Sequence, residues 1–200
     1  MQKSYRCVDL IQRSPEWLAF KEGKIGSSDA AAIMGLSPWE TRYEAWHRFV
    51  FGRAEKKITA AMQRGIDLES EALSRLNKQT GRNYLPLVIQ DLNFPLLIAS
   101  LDAYWEDEEG EVHIVEMKIP GEKTHKIALE GIVPEHYKPQ VAYQRFLAKP
   151  KEMGYFSWDG KSEAGVLIDC PQDEKYMKCL EENILRFLDC VDRFTLPDWE

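Results

Sequence analysis

No apolar run in this 200-residue chain approaches the ~20 residues of a membrane-spanning helix, so no such span is expected. The opening MQKSYRCVDLIQRS also lacks the apolar core of a secretory leader, and a cytoplasmic location is expected. Cysteine is scarce. The four thiols, at 7, 170, 179 and 190, include no CxxC pair, which argues against a zinc site. Cys179 and Cys190 lie three helical turns apart, on the stripe of Met177, Leu180, Ile184, Phe187 and Val191, and read as buried core thiols. Internal repeats, linkers and low-complexity tracts are missing, so residues 1–200 read as one domain large enough for a proper core. An excess of basic charge is missing too. The net charge of −7 does not by itself suggest a nucleic-acid binder, although residues 106–111 alone carry five of the acids.

What is present centres on residues 96–120. LLIASLDAYW and VHIVEMKIP are apolar segments bounded by turn residues, and each reads as a buried strand. The acidic EDEEGE between them, with Gly110, reads as a hairpin loop. Asp102 falls late in the first strand. Glu116 and Lys118, two apart in the second, project from one face, towards whatever Asp102 faces. Two carboxylates and an ammonium on otherwise apolar strands are costly to bury uncompensated, and a divalent cation with oxygen ligands is the natural compensator. The spacing Asp-x13-Glu-x-Lys is the core of the PD-(D/E)xK nuclease motif, with Leu101 where that motif has proline. Glu-x-Lys recurs at 22–24 and 55–57, so the tripeptide alone says little. Only the copy at 116–118 sits in an apolar strand behind an Asp-bearing one. The bland alternative is a surface hairpin with a cross-strand Glu–Lys pair.

In chain order, Ser14 and Pro15 start a helix through about residue 22. A short helix opens at Ser27 or Ser28 and ends at Gly35, and its serine-bearing N-terminus suits an anion. Ser37 and Glu40 form a capping box for a helix with Tyr43, Trp46, Phe49 and Val50 on one face, ended by Gly52. The basic 53–57 reads as a loop, and a long helix over 59–80 ends at Gly81. Within it Gly65, one turn from Glu69, is expected to permit close approach by a neighbour. A strand over 84–91 precedes the hairpin. A helix over 122–130 follows it, then one with Pro139 in its first turn and Gln140 and Gln144 on one face. Strands over 152–158 and 164–169 flank a turn at Asp159-Gly160, and a last amphipathic helix runs over 173–194.

Five segments in this order, KEGKIGSSDAAAIMG, RGIDLESEA, ASLDAYW, VEMKIP and HYKPQVAYQ, with a late DEKYM, resemble the phage lambda exonuclease and YqaJ-type viral recombinase family. That family is a branch of the PD-(D/E)xK nucleases, and the matches spread over most of residues 15–194. The resemblance implies an α/β fold with a restriction-endonuclease-like core, a central mixed sheet flanked by helices. It implies magnesium, two ions per site with manganese as a substitute, bound by Asp102, Glu116, Glu69 and the carbonyl of Met117. It makes Lys118 the active-site lysine and sets Gln140 near the active site. Ser28 and Ser100 match residues of a 5′-phosphate pocket whose arginine falls on Lys21, a charge without the bidentate fork. Trp39 and Arg42 are the candidates for a wedge that splays the duplex end, with packed core as the equal alternative for Trp39.

The implied activity is 5′→3′ digestion of linear double-stranded DNA to mononucleotides, leaving a 3′ strand for recombination in a bacterial or phage-infected cell. Processivity would require a ring-shaped homotrimer around the DNA, and a single-strand annealing protein is the implied partner. Lys118 would either take a proton from water or steady developing charge. The rival readings are an endonuclease of the same fold, which would cut closed circles, and a non-catalytic protein binding DNA ends without metal.

Overall fold

The computed structural model describes residues 3–52 and 58–199. The basic segment at 53–57 lies outside them. In chain order the described elements are β1 (Tyr5–Val8), α1 (Pro15–Lys21), α2 (Ala30–Ile33), α3 (Arg42–Phe51), α4 (Ala60–Thr80), β2 (Leu85–Asp91), β3 (Ile98–Glu106), β4 (Val112–Lys118), α5 (Glu122–Leu129), α6 (Lys138–Ala148), β5 (Glu152–Ser157), β6 (Val166–Asp169) and α7 (Glu174–Asp192). The strands form one mixed six-stranded sheet in sequential order, β1 to β6. Every neighbouring pair is antiparallel except β4 and β5, which run parallel and are joined by the crossover that carries α5 and α6. This is the mixed α/β sheet expected from the sequence. The strand β1, which pairs with β2, was not expected, because four residues beside a charged N-terminus give almost no periodic signal.

Helix termini follow their capping chemistry. Ser14 accepts from Trp17 N and opens α1, Thr59 opens α4, and Gly81 ends α4 in the left-handed region at φ 69°. At α3 the cap is Thr41, in a reciprocal box with Glu44, rather than Ser37. Ser37 instead accepts from Trp39 N and Glu40 N in a local turn, which fits a hydroxyl competing for nearby backbone donors. The expected helix after Gly26 is a single 3₁₀ turn, Ser27–Asp29, followed by the four-residue α2. Gly65 has open space where a Cβ would stand, so it is not a site of close packing. Of the two helix thiols, Cys190 is buried but Cys179 is exposed, one position off the stripe of Leu180, Ile184 and Phe187. Tyr43 is likewise exposed, while Trp46 is buried.

The two faces of the sheet carry separate cores. On one face Ile89, Leu97, Ala99, Leu101 and Ile114 pack with α2, α6 and α7, through Ile33, Tyr143, Leu147, Leu180, Ile184 and Phe187. On the other, Ala103, Val115, Met117, Phe156 and Trp158 pack against Ala72 and Leu76 of α4. Leu101 and Ala103 belong to opposite cores although they are two apart, which an unbroken strand forbids. The register explains it. Leu87 pairs with Leu101 but Leu85 pairs with Tyr104, so two steps on β2 oppose three on β3. One extra residue is therefore inserted in β3 at 102–103, a β-bulge, and such bulges re-aim side chains next to functional sites.

Candidate active site

Asp102 sits at this bulge. The β3–β4 ladder runs from Glu106–Val112 to Ala103–Val115 and stops there, so the strands part just where Asp102 and Glu116 would have paired. The Asp102 carboxylate fills the gap, its Oδ2 accepting from Met117 N at 3.0 Å. Glu116 is fully buried (0% exposed) on the α6 face. Lys118 donates to its Oε1, and Gln144 of α6 donates to its Oε2 at 2.5 Å. The Lys118 ammonium also lies 5.4 Å from the centre of the Tyr137 ring, a cation–π contact. Glu69 reaches the same place from α4, on the far face of the sheet, close enough to act electrostatically on Asp102, while Arg13 donates to its Oε2.

The charges explain the titration. Burial, then the neighbouring Glu116, push the Asp102 carboxyl up to about 8, with Glu69 adding to the effect and Lys118 and Met117 N opposing it. Burial works against the charge on Lys118, but Glu116 and Asp102 outweigh it and hold the ammonium protonated. Lys118 is therefore a cation at neutral pH. In that state it is suited to steadying negative charge.

The residues fit a hard divalent cation. Two converging carboxylates, once both are ionised, would carry more negative charge than one lysine neutralises, and Gln144 Oε1 is buried without a partner beside them. Among the described residues no three His, Cys, Asp or Glu side chains converge into a complete ligand set. Asp102 and Glu116 are the two carboxylates that would face such an ion, and Glu69 is turned to Arg13.

The expected phosphate pocket is only partly assembled. The Trp17 indole donates to Ser100 Oγ at 3.0 Å, and the Lys21 ammonium lies 4.2 Å from the centre of the Trp17 ring. Ser28 is exposed on the 3₁₀ turn, and the turn is capped by Asp29, which accepts from Gly26 N. Trp39 is 67% exposed and is not core; it meets His136 edge-on at 5.0 Å. Arg42 is committed elsewhere. It donates to Ile33 O at 2.7 Å and to Trp199 O, and its guanidinium stacks over the Trp199 ring. Gln144, rather than Gln140, reaches Glu116. The signal was the shared face of the two glutamines, and only the register of α6 against β4 decides between them. Trp17 and Arg13 lie in none of the matching segments, and Tyr137, although inside HYKPQVAYQ, carried no role of its own.

Replacing Gln144 by Leu removes the second donor to a buried carboxylate. The expected result is a 10- to 100-fold loss in Mn²⁺ affinity or rate, a typical effect for a residue that orients a metal-ligating group, roughly. Isothermal titration with Mn²⁺ checks it, and Gln140→Leu is the comparison, expected to lose less.

A six-stranded mixed sheet with this splayed Asp/Glu-x-Lys hairpin at its centre is the restriction-endonuclease-like, PD-(D/E)xK fold. The chain belongs to the YqaJ-like viral recombinase family, whose model matches residues 16–149. The alkaline exonuclease LHK-Exo from Laribacter hongkongensis superposes with a TM-score of 0.77, covering 90% of this chain and 93% of its own at 23% identity. The same enzyme in complex with dAMP gives 0.74 at 23% identity over the same shares. A phage-related exonuclease from Haemophilus somnus 129PT gives 0.62 at 14% identity, covering 86% of this chain and 94% of that one. These likenesses concern the fold. No curated protein sequence is a match.

Proposed function

We propose that the chain is a magnesium-dependent exodeoxyribonuclease that digests linear double-stranded DNA from the 5′ end, releasing mononucleotides and leaving a 3′ strand for annealing. The observation that carries the reading is the meeting of Asp102, Glu116 and Lys118 where β3 and β4 part. Family membership supports it, as do the exonuclease activities named for the two solved neighbours, one of them holding a mononucleotide.

In this reading Asp102 and Glu116 hold magnesium, with Glu69 and the carbonyl of Met117 as further ligands. When bound, the ion supplies positive charge to the scissile phosphate. Gln144 fixes the Glu116 carboxylate, and the Lys118 ammonium, already charged, stabilises the negative charge that develops on the phosphate oxygens. Ser28, Ser100 and Lys21 take the terminal 5′-phosphate, with Trp17 orienting Ser100. Trp39 stands exposed as a surface for the parted strands. A homotrimeric ring and a single-strand annealing partner complete the reading.

Linear duplex DNA labelled at its 5′ or 3′ ends tests it. With magnesium, labelled mononucleotide is expected early from the 5′ label only, EDTA is expected to abolish release, and a covalently closed circle is expected to survive. Inert linear duplex overturns the exonuclease reading, and a cut circle replaces it with an endonuclease.

A further inference from the structure

The short segment ahead of α1 is stapled onto β3 beside the site. Gln12 Nε2 donates to Leu101 O at 3.0 Å, and the Trp17 indole holds Ser100 five residues later. Around the first anchor Ser14 N donates to Ile11 O at 3.1 Å, closing a turn. Arg13 lies inside that turn with φ at 72°, in the left-handed region that is unfavourable for a side-chain-bearing residue. Such local strain persists only where its surroundings enforce it, and it clusters at functional sites. The strained residue is also the one whose guanidinium pairs with Glu69, with the two side chains 42% and 26% exposed.

A pair so exposed adds little to stability, so fold stability does not account for the strain. What the pair does is neutralise the one carboxylate near Asp102 that is not fully buried. A divalent cation and the guanidinium would compete for that carboxylate. Once displaced, Arg13 remains tethered through Gln12 and Ser14 at the mouth of the site, as a fork-shaped cation with no anion. A phosphodiester oxygen pair is the anion such a fork fits best.

We infer that Arg13 is a charge-exchange residue: it pairs with Glu69 until a metal ion takes that carboxylate, and its guanidinium then passes to a phosphate of the DNA strand at the site. The inference rests on the proposed nuclease reading and deepens it. It makes metal loading and strand binding cooperative, because each removes a competitor of the other.

Two measurements on the full chain test it. Mn²⁺ binding without DNA is read by titration calorimetry, and binding of a labelled duplex end with Ca²⁺ in place of magnesium is read by fluorescence anisotropy. Arg13→Ala is expected to bind Mn²⁺ about fivefold more tightly and the duplex end about tenfold more weakly. These opposite signs are what a merely structural role would not produce. Arg13→Gly accepts the left-handed backbone without strain, so it is expected to fold at least as stably as the parent and to reproduce both shifts. Mn²⁺ affinity that is unchanged or weaker in both variants overturns the exchange. Failure of the underlying nuclease reading looks different: the parent chain itself then shows no Mn²⁺ binding that Asp102→Asn abolishes.

Discussion

Lys118→Gln is expected to slow duplex digestion by about 10³-fold while changing binding of the DNA end far less. The reason is where the charge sits. The Lys118 ammonium is held protonated by Glu116 and Asp102, so its contribution to the reaction is a fixed positive charge that glutamine cannot supply. Glutamine can still donate to Glu116, which keeps the buried carboxylate hydrogen-bonded. Alanine cannot, and Lys118→Ala is expected to lose several kcal/mol of stability besides, the order of 3–5 kcal/mol that a broken buried pair costs, roughly. Comparing the two variants separates chemistry from folding. Single-turnover digestion gives the rate, anisotropy gives the binding, and thermal melts give the stability. Near-parental digestion by Lys118→Gln would remove the lysine from the mechanism.

The metal-free protein is expected to lose stability as pH rises from about 4 to about 8, and Asp102→Asn is expected to flatten that loss. The unfolded carboxyl titrates near 3.8, the folded one near 8. Below pH ~4 the group is protonated in both states. Between the two values the unfolded chain has released its proton and the folded chain has not, so stability falls with rising pH, at up to ~1.4 kcal/mol per unit. Above about pH 8 the loss is complete. Magnesium changes the balance, because it binds the ionised form and must displace this proton. Magnesium should therefore raise the melting temperature more at about pH 8.5 than at about pH 6, and digestion should favour the alkaline side. Melts of parent and variant across this range, with and without magnesium, check the assignment. A slope as steep in Asp102→Asn as in the parent would refute it.

Much of this site was legible in the sequence because it lies in one hairpin. Period-two alternation places Glu116 beside Lys118, and the structure joins them by a hydrogen bond. The same rule cannot see the bulge, since one inserted residue leaves no mark on the hydrophobic pattern of LLIASLDAYW and appears only when β2 is paired with β3. The long helices were legible from their caps and stripes, α4 to its bounding Thr59 and Gly81. What stayed hidden is long-range. Arg13 meets Glu69 across 56 positions, Gln144 meets Glu116 across 28, and Arg42 is drawn to Trp199 across 157. Each depends on how separate elements dock, and no local spacing encodes it.

The inserted residue in β3 also divides the strand into two reading frames. Up to Leu101 it follows the phase of the α2–α6–α7 core, and from Ala103 it follows that of the α4 core. Deleting one residue at 102–103 would leave two steps on β2 opposite two on β3, so the flanks would keep the faces they now have, and the bulge at which Asp102 sits would be lost. The extra residue therefore serves the site rather than the two cores, and the aspartate stands at the one position where the two frames are spliced.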